Sequence, residues 1–391
     1  MKPVAGNRVT LLRNGVEFIP ALVCAIDSAS DDVRVETYIF ADDSAGRAVG
    51  EALKRAARRG VMVRLMIDGF GSRELAPEFV AGLLVSGVVV QRFRPELGWI
   101  SLRRSRLRRL HRKIALVDAR VGFVGGINIV DDHSGHGRDA PRYDYAVRVE
   151  GPLLAEIYPV VHRLWWLEAA LSRKEHRPGF LPPAVNPETA GDTAAAFVFR
   201  DNFGHRHDIE AMYLEAIRDA RREILIACAY FMPGWRVRRA LMEAAGRGVR
   251  IAIVVQGWSD HRVFQNASRV LYGALLEHGI EIYEYERSEL HAKAACVDWR
   301  WATVGSSNLD PFSLFLAREA NVAVFSEPFA REVRDSINHE IHHGAKAIPR
   351  LLWRRRPWGE RVAGWLAYGY ARLAMASPAS AGDGSEGARA G

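Results

Sequence analysis

The sequence predicts an α/β protein made of two similar halves, and three observations carry that prediction. The first is an internal repeat: AIDSASDDVRVETYIF, opening at Ala25, has a counterpart in AIRDARREILIACAYF, opening at Ala216. In both, a helix end runs into an apolar strand. The second is the near-continuous Val, Ile and Leu character of the strand candidates, as expected of strands buried on both faces under covering helices. The third is size and composition. A chain of 391 residues, 49% hydrophobic and 26% charged, buries a substantial core and suits one large or two medium domains.

In chain order, each half opens with the helix–strand pair and continues with a helical pattern. That pattern ends in RRG or GRG, and a second apolar strand follows, VMVRLMIDG closing at Gly69 and VRIAIVVQG closing at Gly257. Further on, HRKIALVDARVGFVGGIN (111–128) aligns without a gap with HAKAACVDWRWATVGSSN (291–308), nine positions being identical. The Pro-rich PGFLPPAVNP (178–187) reads as the linker, which puts the halves at 1–177 and 188–349. Residues 350–376 are basic and aromatic, and read either as a helix lying in a membrane interface or as a terminal helix packed on the core. Residues 377–391 are rich in Ala, Gly and Ser and are expected to be disordered.

Charge narrows the partners. There are 54 Lys and Arg against 46 Asp and Glu, a net charge of +8, and only six of the basic residues are lysines. Arginine grips phosphate with a planar fork, so an anionic or phosphate-bearing partner is expected. Three widely spaced cysteines, Cys24, Cys228 and Cys296, argue against a disulfide framework and suit a reducing compartment. The apolar run Val362–Ala376 is shorter than the ~20 residues of a spanning helix and contains Arg372.

The chemistry is carried by H-x-K-x-x-x-x-D, present twice: His111, Lys113, Asp118 and His291, Lys293, Asp298. Residues two apart on a strand share a face, so each His and Lys point the same way. Asp118 and Asp298 follow where a turn begins. Past the turn, Asn128 and Asn308 are donors suited to phosphate oxygens, and Ser306 and Ser307 add hydroxyls where the first copy has Gly126 and Ile127. Packed about a pseudo-twofold axis, two His, two Lys and two Asn converge on one pocket. Such a set suits a phosphodiester: one imidazole attacks phosphorus, the other protonates the leaving oxygen, and the Lys–Asn cage holds the charge. No metal or cofactor enters this scheme.

These residues resemble the phospholipase D superfamily, whose signature is a pair of HKD motifs, over roughly Val9 to Phe325. HRKIALVDARVGFVGGINI, DYAVRVEGP and VGSSNLDPFSL with EANV are similar to the cardiolipin synthase branch, in particular its B-type without transmembrane helices. The resemblance implies two phospholipase D-like α/β sandwich halves sharing one active site. It also implies cardiolipin synthesis by phosphatidyl transfer through a phosphohistidine, with phosphatidylglycerol the expected substrate. Asp144 and Glu319 then orient the histidines through their second ring nitrogens. Ala292, where the family more often has Gly, is expected to set a methyl beside the phosphate.

Three further features complete the reading. Arg103–Lys113 (RRSRLRRLHRK) is a candidate docking surface for anionic lipid headgroups. HEIHH (339–343) formally matches a zinc motif but falls at the end of a helix starting near Pro328, where histidines complement the helix C-terminus. Gly69–Gly71 reads as a loop at the pocket mouth. The expected enzyme is therefore a peripheral protein at the cytoplasmic face of the cell membrane, acting on phospholipids rather than nucleic acid. Hydrolysis of phospholipid or nucleic acid, and a non-enzymatic basic module that binds anionic membranes, are the alternatives.

Overall fold

The fold is that of a computed structural model describing residues 2–94, 108–133, 140–171, 185, 187–257 and 268–354, with Gly359 and Gly369. The first half runs β1 (Val4–Arg13), α1 (Asn14–Asp27), β2 (Asp32–Thr37), α2 (Ser44–Arg58), β3 (Met62–Asp68), α3 (Pro77–Val85), β4 (Val89–Phe93), β5 (Lys113–Val117), β6 (Val121–Gly125), β7 (Tyr145–Glu150) and α4 (Leu154–Leu171). The second runs β8 (Thr193–Arg200), α5 (Asp208–Asp219), β9 (Glu223–Cys228), α6 (Trp235–Gly246), β10 (Arg250–Gln256), α7 (Tyr272–Glu277), β11 (Glu281–Tyr285), β12 (Lys293–Val297), β13 (Trp301–Gly305), α8 (Pro311–Phe315), β14 (Glu319–Phe325) and α9 (Glu327–Gly344). A short β15 (Ala345–Ala347) and α10 (Arg350–Arg354) follow.

Strand order shows the repeat as geometry. From one edge it reads β4-β3-β2-β5-β6-β7-β1, and it continues in reverse as β8-β14-β13-β12-β9-β10-β11, with β15 added at the far edge. The pseudo-twofold axis therefore passes between β1 and β8. They join only at the start of β1, where Val4 pairs with Ala195 and Asn7 with Thr193 across a register shift. The buried Asn7 closes that gap, donating to Val4 O and Thr193 O and accepting from Leu153 N.

Three apolar clusters account for the layers. Leu22, Leu53, Val33 and Ile67 belong to the cluster between α1–α3 and the outer face of the first half-sheet. Ile217, Leu241, Ile226 and Ile253 do the same beneath α5–α7 in the second. The third draws on both halves: Val147, Ala294 and Val322 of the strands meet Val161 of α4 and Val333 and Ile337 of α9. Each fully buried Val, Leu or Ile side chain among them is worth roughly 1.5–3 kcal/mol relative to exposure, and the shared cluster ties the two sheets into one body. The RRG and GRG sequences are the ends of α2 and α6, where Gly60 (φ +91°) and Gly248 (φ +87°) take the left-handed conformation that stops each helix.

Most of the linker 178–187, residues 103–107 of the basic segment Arg103–Lys113, and the chain beyond Arg354 apart from Gly359 and Gly369 lie outside the described residues. The first aromatic of the late segment, Trp353, packs on Tyr272 with ring centroids 5.1 Å apart, so the start of that segment is core packing. In the last turn of α9, His343 stacks on His339 and its Nδ1 meets the carbonyl of His339 at 2.7 Å.

Candidate active site

Strand direction brings the site together. β2 and β3 end, and β5 begins, at one end of the first half-sheet; β9, β10 and β12 repeat this in the second. Each histidine stands just before its strand, β5 or β12. Each is also held from the opposite half. Leu110 pairs with Arg318 and Leu290 with Tyr143 through isolated parallel bridges that cross between halves. His111 N donates to Arg318 O at 3.0 Å, and His291 N donates to Tyr143 O at 2.8 Å.

The next residue on each crossing segment is the carboxylate. Glu319 Oε1 lies 2.8 Å from Nδ1 of His111, and Asp144 Oδ2 lies 2.5 Å from Nδ1 of His291. An ionised carboxylate only accepts, so Nδ1 carries the proton and Nε2 keeps its lone pair. Burial holds His111 below the ordinary histidine range against the upward pull of Glu319. His291 is pushed well below it by burial, with Lys293 and Lys113 adding to the shift. Burial also raises the Asp144 carboxyl to about 6.

The lysines complete the cage. Lys113 Nζ donates to His111 O at 2.6 Å and Lys293 Nζ donates to His291 O. Both are buried. Burial brings Lys113 down to about 7, opposed by Glu319 and assisted by Lys293, and it lowers Lys293 as well. Two buried ammonium groups within electrostatic range of each other are poised for an anion that neutralises both. Asn128 and Asn308 sit at the same end: Asn128 Oδ1 accepts from Ile39 N at 3.1 Å, and Asn308 Oδ1 lies 3.8 Å from the Cys228 thiol. Each amide is thereby oriented by its oxygen.

Three expectations are corrected. Asp118 and Asp298 are remote from the imidazoles, a five-residue strand or roughly 16 Å away. Each opens a tight turn with two successive left-handed residues, Asp118 (φ 51°) and Ala119 (φ 50°), Asp298 (φ 50°) and Trp299 (φ 60°). The Asp118 carboxylate accepts from the backbone N–H of Ser30, Asp31 and Asp32, and that of Asp298 from Arg221, Arg222 and Glu223. Burial alone raises the Asp118 carboxyl, but these bonds outweigh it and leave it below its ordinary value. Both aspartates thus hold the junction before β2 or β9. Second, the Ser306 hydroxyl donates to Glu319 Oε2 and accepts from Ala320 N at 3.0 Å, so it braces the carboxylate instead of meeting substrate. Third, the methyl of Ala292 lies in the shared apolar cluster, because strand alternation turns it away from His291 and Lys293. Its counterpart Arg112 is turned away likewise and forms a buried pair with Glu36, at 2.5 and 3.0 Å.

Four contributors were not read from the sequence. Asp68 Oδ2 accepts from Leu110 N at 2.9 Å, and Gln256 Oε1 accepts from Leu290 N, so equivalent side chains hold the segment before each histidine. The matched strand ends MIDG and VVQG were the available signal. Tyr38 and Phe312 flank His111, with centroids 4.9 and 6.5 Å from its ring.

Two half-sheets about a pseudo-twofold axis, with one His–Lys pair from each meeting at a single end, define a two-motif enzyme of the phospholipase D superfamily. The family described as cardiolipin synthase, phospholipase D-like domain, matches residues 22–158 and 213–341, and the chain belongs to it. It is 39% identical over 377 residues to cardiolipin synthase B of Escherichia coli (strain K12), covering 94% of this chain and 88% of that one. With cardiolipin synthase A of Pseudomonas putida (strain F1) it shares 31% over 346 residues, 88% of this chain and 70% of the other. Among solved structures, phosphatidylserine synthase of Haemophilus influenzae Rd KW20 superposes with a TM-score of 0.70 at 14% identity, over 93% of each chain.

Proposed function

We propose that this chain is a cardiolipin synthase, a phosphatidyltransferase working through a phosphohistidine at the site built by His111, Lys113, His291 and Lys293. The observation that carries the reading is the crossed pairing, in which each imidazole is fixed through Nδ1 by a carboxylate of the opposite half. Nε2 of one histidine attacks the phosphorus of phosphatidylglycerol, and the P–O bond to the headgroup breaks. The other histidine, which enters the step as the imidazolium with a second proton on Nε2, gives that proton to the leaving oxygen, and glycerol leaves. The same histidine, now neutral, takes the proton from a hydroxyl of a second phosphatidylglycerol. That oxygen attacks phosphorus, the P–N bond breaks, and cardiolipin is released. Lys113, Lys293, Asn128 and Asn308 hold the charge on the equatorial oxygens.

The surface supports work at a membrane. Among the described residues no helix is long and apolar enough to cross one. At the histidine end, however, the loops after β3 and β8, the start of α6 and the end of α8 present Phe70, Phe203, Trp235 and Phe315 to solvent. Arg73 and Arg109 stack on Phe70, and the exposed Arg236 adjoins Trp235. Aromatic rings interleaved with arginine suit the headgroup region of an anionic leaflet. The enzyme docks there from the cytoplasmic side with its histidines facing the lipid.

Purified protein given phosphatidylglycerol vesicles, with products read by mass spectrometry, should yield cardiolipin and glycerol. DNA cleavage without lipid turnover would replace this reading with a nuclease. Serine at both Phe203 and Trp235 should lower co-sedimentation with anionic vesicles while activity on detergent-dispersed lipid persists.

A further inference from the structure

Behind the catalytic strands lies a cavity of about 250 Å³ between α4 and the loop that follows β8. It is separate from the histidine site. Arg112 and Arg318 contribute to its wall, and each is adjacent in sequence to a catalytic-site residue, so strand alternation turns both to the opposite side from His111 and Glu319.

The lining is divided in character. Leu164, Leu167, Phe199 and Phe203 make one side apolar, and Phe203 is 68% exposed at the rim on the histidine end of the molecule. Arg163 and Arg318 supply positive charge, with Asp201 as the acid. Arg112 adds none, since Glu36 neutralises it. The Asp201 carboxylate is held by the N–H groups of Phe203 and His205, at 2.8 and 3.1 Å. Among the described residues Arg318 forms no ion pair within 4 Å: its Nε is buried without a hydrogen-bond partner, its guanidinium lies 5.9 Å from the ring of Phe93, and the carboxylates of Asp201, Glu36 and Glu168 act on it only at longer range. A buried guanidinium N–H left without an acceptor is costly, and an anion in the cavity would accept from it directly, which none of those carboxylates does.

We propose that this cavity is a second lipid site, taking the phosphate headgroup of an anionic phospholipid that is not turned over. At about 250 Å³ it holds a headgroup and not a pair of full acyl chains, so the chains leave past Phe203 into the bilayer. Phosphate sits on Arg318 and Arg163, and the glycerol backbone lies against Leu164 and Leu167. The site borders the catalytic machinery through backbone alone: Arg318 O accepts from His111 N and Arg112 N, and Arg318 N donates to Arg109 O. The inference rests on the membrane reading above only for the source of the ligand.

The test uses the full chain with His111→Asn and His291→Asn, which blocks turnover, titrated calorimetrically with dihexanoyl phosphatidic acid below its micelle concentration. Two binding events per chain are expected. Leu167→Trp, which fills the cavity, and Arg163→Glu, which reverses charge at an exposed position, should each weaken one event at least ~10-fold and spare the other. Hydrogen exchange should slow in 159–167 and 199–205 on binding, and no longer do so in Leu167→Trp. A single event untouched by either substitution overturns the proposal, as does protection elsewhere. Glycerol 3-phosphate binding as tightly as the lipid would overturn the lipid assignment in favour of a soluble phosphate ester. Loss of cardiolipin synthesis in the enzyme assay with this second event intact would break the functional reading and leave the cavity assignment standing.

Discussion

The two histidines occupy the same place in their halves, yet their surroundings differ. His111 has a Glu partner, braced by the Ser306 hydroxyl, and lies between the rings of Tyr38 and Phe312. His291 has the shorter Asp144, which accepts from Tyr145 N and lies so close to Gly126 that a side chain there would meet Asp144 Oδ1 at 2.3 Å. Where Tyr38 flanks the first histidine, the second half has Ala229. The backbone recipe is retained in both copies while the packing around each ring has diverged. A site made by duplication can therefore keep its geometry and still assign unequal work to its two halves.

The comparison can be broken most forcefully at the imidazoles. His111→Ala and His291→Ala should each cost at least ~10³-fold in turnover, because one is nucleophile and the other acid and base. A variant retaining several per cent of activity would take its histidine out of the pair. Next come the carboxylates. Glu319→Gln and Asp144→Asn should each lower kcat by roughly 10²-fold with the fold intact, since a neutral amide neither fixes the tautomer nor stabilises the imidazolium. Circular dichroism alongside steady-state kinetics checks this, and unchanged kinetics in both would detach the carboxylates from catalysis. The divergence itself is probed by exchanging the small residues: Gly126→Ser should cost about 10-fold by displacing Asp144, and Ser306→Gly only a few-fold through one lost hydrogen bond.

Acidity gives a subtler contrast. Burial keeps both histidines below their ordinary range, so the rising limb of kcat/KM, set by the histidine that must be neutral to attack, should fall below pH 6.5. Lys113, brought down to about 7, is charged below that pH and neutral above it, so phosphate holding weakens and kcat/KM falls as pH rises past it. Arginine at position 113 stays charged, so kcat/KM of that variant should fall less steeply above pH 7 than that of the parent enzyme, the descent that remains belonging to the acid histidine. The smallest effect on rate belongs to the motif's third residue. Asp118→Ala and Asp298→Ala should each lower stability by roughly 1–3 kcal/mol, from backbone donors left unpaired, with kcat of the folded enzyme unchanged. Urea unfolding and active-site-normalised rates separate the two.

Much of this was legible in the chain. The repeat and the buried apolar runs foretold two α/β halves, because both depend on local period and on self-similarity. His and Lys two apart announced a shared face. The carboxylates came only through resemblance, since Glu319 reaches His111 across 208 positions by a bridge between halves that no spacing encodes. Asp68 and Gln256 do one job with different side chains, so comparison of the copies hid them. Asp118 and Asp298 show the opposite: they recur because each half repeats the same turn and junction, and recurrence alone does not separate a structural turn from chemistry. The bracing role of Ser306 is not legible locally, because its partner lies 13 residues downstream.

The central claim is that two motifs build one site. Rapid quenching of the enzyme with phosphatidylglycerol labelled in its phosphatidyl group measures this directly, as covalent lipid per chain at saturating substrate. A shared site predicts an acid-labile adduct that never exceeds one per chain and sits on a single histidine of the pair. Two adducts per chain, on His111 and His291 together, would mean two independent sites and would contradict the account.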